Sequence, residues 1–184
     1  MKRLLTALLA LALCAAPALA SGEGVLPVTQ AFLAEAAANS LIYTYYGQLN
    51  DGFEAVILPY NDFDVIVLID PDGNHAELRA YRLISCPDAD PGEVCRVLDR
   101  LNGSYKYVTF QTDGEGGVMA TCDLLFANAD PAAAGRITLA TADVLARVVG
   151  AALPELQALA EGSSAVEETP AEPDLFDWLR PSDP

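Results

Sequence analysis

The run Val65-Ile66-Val67-Leu68-Ile69 narrows what this chain can fold into more than any other stretch. Successive side chains of a strand point to opposite faces, and here neither alternate set is polar. Such a strand has no side that can face water, so Phe63 to Ile69 is predicted as a central strand covered on both faces. Asp70-Pro71-Asp72-Gly73-Asn74 then supplies turn chemistry, with proline fixing φ and glycine allowing a positive one, and Ala76 to Ile84 returns as the partner strand.

The remaining elements are placed around this hairpin. Val28 to about Asn39 is Ala-rich and reads as a helix, with Phe32, Leu33, Ala36 and Ala37 on one side. Leu41 to Pro59 is rich in β-branched and aromatic residues and holds two strands joined at Asn50-Asp51-Gly52. Asp90-Pro91-Gly92-Glu93 is a helix start with Asp90 as N-cap; Val94, Val97, Leu98 and Leu101 follow at helical spacing, and Gly103 supplies a left-handed stop. A second hairpin pairs Tyr105–Thr112 with Val118–Phe126 through Asp113-Gly114-Glu115-Gly116-Gly117. Asp130-Pro131 opens a last helix in which Ile137, Val144, Val148, Leu156 and Leu159 hold an approximate spacing, while Gly150 and Pro154 predict a kink or a division into two helices. The expected fold is α+β, an antiparallel sheet of two hairpins plus N-terminal strands, packed with three main helices.

The two ends are of different composition. Lys2-Arg3, the apolar stretch Leu4–Ala16 and Ala18-Leu19-Ala20 follow the order of a secretory signal peptide cleaved after Ala20. That run is shorter than the about 20 apolar residues a membrane span needs, and no later stretch is expected to serve as a stable anchor. Cys14 leaves with the peptide, because Leu13 stands before it where a lipoprotein signal has a small residue. Residues 21–26 form a lead, 27–160 the domain, and 161–184 an acidic tail too polar to order itself. Leu175, Phe176, Trp178 and Leu179 interrupt that tail within residues 174–179. A helical turn capped by Asp174 would place Leu175, Trp178 and Leu179 on one face, suited to docking on the domain itself or on a partner. The expected location is periplasmic or secreted.

The whole chain carries a formal net charge of −16, and removal of Lys2 and Arg3 with the signal takes it to −18. Such a surface repels phosphate backbones and anionic lipid heads, so nucleic acid is not an expected partner. Cys86, Cys95 and Cys122 remain in a compartment that can oxidise thiols. The spacing of Cys86 and Cys95 predicts a disulfide. Cys122 belongs to the series Val118, Ala120, Cys122, Leu124, Phe126 and reads as a buried thiol on the core face of a strand.

Catalytic and metal constellations are weak. His75, the single histidine, lies beside a hairpin turn and reads as a solvated loop residue. Gly114, Gly116 and Gly117 lack the Lys-Ser/Thr ending of a phosphate loop. Asp62, Asp64, Asp70 and Asp72 offer hard oxygens, but counting from Asp70 the sixth position of a calcium loop is His75 rather than glycine. No catalytic residue, cofactor or metal ligand is assigned.

Leu98-Asp99-Arg100-Leu101-Asn102, leading into Tyr105-Lys106-Tyr107, resembles the signature of the YbjN-like family, a hydrophobic-Asn-x-Leu-Asn run entering a strand with Lys and aromatics. Asp99 stands where that run has its first Asn. Leu153-Pro154 before Leu156 is similar to the family's closing helix, and the likeness extends over about residues 27–160. It implies a type III secretion chaperone-like fold and a sensory or regulatory role, with no catalytic residues to carry over. The expected function is an exported, non-enzymatic module that recognises a protein or peptide. The alternative is a carboxylate-based envelope hydrolase, which a buried cleft with two acids of raised pKa would favour.

Overall fold

The computed structural model describes residues 24–163 apart from 115 and 127. The expected signal segment with Cys14, and the tail with Leu175, Phe176, Trp178 and Leu179, lie outside the described residues. The order is α1 (Pro27–Ala38), β1 (Thr44–Gln48), β2 (Glu54–Pro59), β3 (Asp64–Ile69), β4 (His75–Ser85), α2 (Pro91–Ser104), β5 (Thr109–Thr112), β6 (Gly117–Leu125) and α3 (Pro131–Ser163). The six strands form one antiparallel sheet in the order β1-β2-β3-β4-β6-β5.

β3 is the inner strand its composition demands. Val65, Val67 and Ile69 belong to the main core with Leu78 of β4, Val118 and Ala120 of β6 and the three helices. Ile66 and Leu68 point the other way and form a second buried cluster with Ala55 and Ile57 of β2. Among the described residues no helix contributes to that second cluster; Leu49, Phe53 and Tyr81 pack against it. The β3–β4 turn closes through Asp70, whose carbonyl accepts from Gly73 N at 3.0 Å and whose Oδ1 accepts from Asn74 N at 2.9 Å. Gly73 has φ of 67°, which a side chain would strain.

The helices show where local signals were sufficient and where packing overrode them. α2 starts as expected, with Asp90 Oδ1 accepting from Gly92 N at 3.3 Å. Gly103 is helical rather than left-handed; α2 runs through it to Ser104, and Tyr105 N bonds Leu101 O. The expected strand from Tyr105 therefore shrinks to Thr109–Thr112. α3 is one continuous helix through Pro154, so the division into two is not found. Its buried stripe follows the large residues only in part: Leu156 and Leu159 are buried and Val148 is half-buried, whereas Ile137 and Val144 are 46% and 38% exposed. Ala134, Thr138, Ala142, Leu145, Val149 and Ala152 make up the rest of the inward face. Small residues line this stripe because α1 lies very close: a Cβ on Gly135 would sit 2.7 Å from Phe32 N. α3 is also long and apolar enough, by length and composition, to cross a membrane, contrary to the expectation from sequence. The apolar content includes the stripe that packs on α1 and the sheet.

Two side chains tie this frame together. Leu26, the N-cap of α1, offers no side-chain cap, and Glu54 at the start of β2 supplies one: both carboxylate oxygens lie 3.1 Å from Leu26 N, and Oε1 accepts from Tyr45 Oη at 3.1 Å. Glu54 is buried, and these donors with the positive helix end offset the cost of placing it there. Asn102, at the end of the family-like run, grips Phe110 of β5 by both of its backbone polar groups.

Candidate functional site

β4 and β6 are adjacent although α2 and β5 separate them in the chain. Their pairing sets Glu77 opposite Asp123 and Arg79 opposite Thr121, while β5 adds Thr109 opposite Thr121 and Gln111 opposite Met119. All these side chains project to the face turned away from the helices, because they alternate with the core residues Leu78, Ala80, Phe110, Ala120 and Cys122. With Tyr81, Thr112 and Asp113 they line a trough of about 610 Å³.

The trough has an ordered charged wall. Arg79 donates to the Tyr81 hydroxyl at 2.6 Å and pairs with Glu77 two residues before it on the same strand. Its guanidinium also lies 6.0 Å from the centre of the Tyr81 ring, within the range of a cation–π contact. Burial pulls the Arg79 pKa down, but Tyr81 and then Glu77 outweigh it and hold the guanidinium above its ordinary value. The floor is made of Thr109, Gln111, Thr121 and the buried Met119, whose Sδ lies 3.7 Å from Gln111 Nε2. The trough thus offers donors, acceptors and a thioether within one depression. Beyond Tyr81 the same face continues into the apolar cluster of Ala55, Ile57, Ile66 and Leu68.

β4 bends at the trough's end. Ala80 pairs with Ala120 and Ile84 with Val118, so Tyr81, Arg82 and Leu83 oppose Met119 alone, and Arg82 takes φ of 50°. A bulge of this kind re-aims side chains and strengthens local twist.

A second depression, about 450 Å³, lies beside α1 and α3 and is lined by Glu35, Asn39, Leu41, Tyr60, Arg136, Leu139, Ala140 and Asp143. Tyr60 stacks on Phe63 at 5.5 Å, and burial followed by the charge of Asp143 raises its pKa. The trough is the better candidate, since its half-buried Arg79 and Glu77 are held in place by their own hydrogen bonds.

The residues singled out from sequence are distributed as follows. His75 is not a loop residue: it opens β4, half-buried, across from Leu125. Asp70 is engaged in its turn, and Asp64 opens β3, where burial raises its pKa. Asp62, Asp64, Asp70 and Asp72 form no shared three-ligand group among the described residues. Asp113 Oδ1 accepts from Gly117 N at 2.8 Å, which closes the glycine-rich turn on itself. Cys86, Cys95 and Cys122 are all free thiols; Cys86 is buried at the end of β4 while Cys95 is exposed on α2, so the two are not bonded. Cys122 is buried on the core face, as its alternation requires, and burial, then Asp123, raises its pKa. The trough itself was missed. Its one trace in the sequence is the polar set Glu77-x-Arg79-x-Tyr81 and Thr121-x-Asp123 interleaved with core residues.

A family model described as "Putative bacterial sensory transduction regulator", YbjN, matches residues 32–153, from the middle of α1 into α3. The chain belongs to the YbjN family. Within that family frame the Leu98–Asn102 run is structural: Leu98 and Leu101 are buried, Arg100 pairs with Glu155 of α3, and Asn102 holds Phe110. Solved structures that are similar include the following two. The crystal structure of the ExsC–ExsE complex shares 19% identity over 68% of this chain and 90% of that one, with a TM-score of 0.47. The crystal structure of YbjN from E. coli shares 16% over 68% and 89%, with a TM-score of 0.43. No curated protein matches the chain significantly.

Proposed function

We propose that this YbjN-family chain is an exported, non-enzymatic regulatory module that binds a protein or peptide segment in the outer-face trough. The observation that carries the reading is the trough itself. An extended peptide presents every second side chain and its backbone polar groups at strand spacing, and this face offers hydrogen-bonding side chains at the same spacing along β4, β6 and β5. The net charge of −16 favours partners with cationic segments. Export rests on the order of Lys2-Arg3, the apolar run and Ala18-Leu19-Ala20, which predicts a mature N-terminus at Ser21 in the periplasmic or culture fraction.

The test of the trough is affinity capture from the native envelope fraction with the wild type and with Thr121→Arg, which fills the depression from its floor. Loss of the captured species at unchanged melting temperature supports the reading. An identical captured set contradicts it. The C-terminal segment Leu175–Leu179 is assigned docking as well, on the domain or on the partner, with Trp178 as its anchor. Truncation after Gly162 separates the two: a lower melting temperature means self-docking, and unchanged stability with lost capture means partner docking.

A further inference from the structure

We propose that His75, Glu77 and Asp123, at the end of the trough, form a binding site for a divalent transition-metal ion of the Zn²⁺ class. His75 and Glu77 are two residues apart on β4 and therefore share a face, and Asp123 of β6 stands directly opposite Glu77. One ligand atom from each of the three lies within 4.8 Å of the others. Residues distant in the chain are thus brought to one spot by the sheet register, which is far less adjustable than a loop.

The electrostatics of that spot call for a cation. Like charges directly opposite each other across an antiparallel pair are destabilising. Arg79 compensates one of them by pairing with Glu77. A divalent ion between the three ligands would neutralise Asp123 and the remaining Glu77 oxygen together. Arg79, itself held by the Tyr81 hydroxyl, then acts as an outer partner that fixes the orientation of Glu77, the arrangement metal-ligating carboxylates commonly have.

The donor set selects the class of ion. One imidazole nitrogen and two carboxylates suit Zn²⁺ and its neighbours, with water completing the coordination, whereas Ca²⁺ requires six to eight oxygens and gains little from a histidine. The site lies on one end of the binding trough but does not depend on the trough's being used for peptides, since the three ligands come from β4 and β6 alone.

The experiment is calorimetric titration of the tag-free protein with Zn²⁺ and, separately, Ca²⁺, repeated on His75→Ala and Asp123→Asn, with melting curves in EDTA as the check on folding. The expected result is one equivalent of Zn²⁺ bound by the wild type, affinity about tenfold or more weaker in each variant, and melting in EDTA unchanged. A melting temperature that rises with Zn²⁺ in the wild type but not in His75→Ala is the same result read independently. Absence of Zn²⁺ binding by the wild type, equal binding by His75→Ala, or Ca²⁺ binding as tight as Zn²⁺ overturns the proposal.

Discussion

Asn102 acts toward Phe110 as a neighbouring strand would: its Nδ2 donates to Phe110 O at 3.0 Å and its Oδ1 accepts from Phe110 N at 2.7 Å. Both backbone groups point away from β6, so the side chain occupies the outer edge of β5, which is the last strand of the sheet. An uncovered edge is a template for pairing with another chain. The final Asn of the family-like run therefore has a physical role, and it also anchors the end of α2 to the sheet. Replacing Asn102 with Ala should cost about 2 kcal/mol, because two backbone groups lose their partner. Urea unfolding should show the lower midpoint at unchanged slope, and light scattering should show increased self-association. Unchanged values for both would mean the edge is protected by something else.

Tyr45 makes a pH prediction with a definite sign. Burial, then the charge of Glu54 and its hydrogen bond, push the phenol from 10.0 up to about 12. An unfolded chain releases this proton near pH 10 while the folded one holds it, so the stability contributed is complete below pH 10 and is lost as pH rises towards 12. Unfolding free energy measured at about pH 9 and pH 11 should fall more steeply for the wild type than for Tyr45→Phe. Parallel declines would contradict the assignment.

Gly135 is the point of closest approach between α1 and α3. A Cβ there would meet the backbone of Ala31 and Phe32 at 2.7–2.8 Å, and backbone cannot swing aside as a side-chain end can. Gly135→Ala should destabilise the protein by about 2 kcal/mol or more despite alanine's better helix propensity. Gly150, which has open space around it, is the control: Gly150→Ala should be neutral or stabilising. Thermal melts of the two variants decide this.

The thiols should react in a fixed order. Cys95 is exposed, whereas Cys86 and Cys122 are buried with their pKa values raised, first by burial and then by Asp113 and Asp123 respectively. Maleimide should modify Cys95 in the native protein and the other two after unfolding. Lack of reaction at Cys95, with an intact mass lower by two hydrogens, would instead show that Cys86 and Cys95 pair in the oxidising compartment.

Local chemistry made much of the fold readable. The hairpin of β3 and β4 is encoded by an all-apolar strand and a turn whose Asp70 and Gly73 do what their residue types predict, and α2 is encoded by its Asp90 cap and apolar spacing. Reading failed where distant packing decides. Gly103 and Pro154 read as breakers, yet α2 continues one residue past the glycine and α3 runs on through the proline, with Leu153 and Leu156 on either side of it buried in the core. In α3 the large residues Ile137 and Val144 misled because the tight crossing at Gly135 demands small ones. The trough was invisible for a related reason: Glu77 and Asp123 meet through a pairing of strands that are not consecutive, and the spacing within either strand contains no hint of it.

The central claim is that binding takes place on the outer sheet face, between β4, β6 and β5. Site-specific photo-crosslinking tests it most directly, with the reactive group placed at Gln111 in the trough or at Arg147 on the exposed side of α3. In the native envelope fraction the account predicts a discrete adduct from Gln111 and none from Arg147; an adduct from Arg147 without one from Gln111 would contradict it.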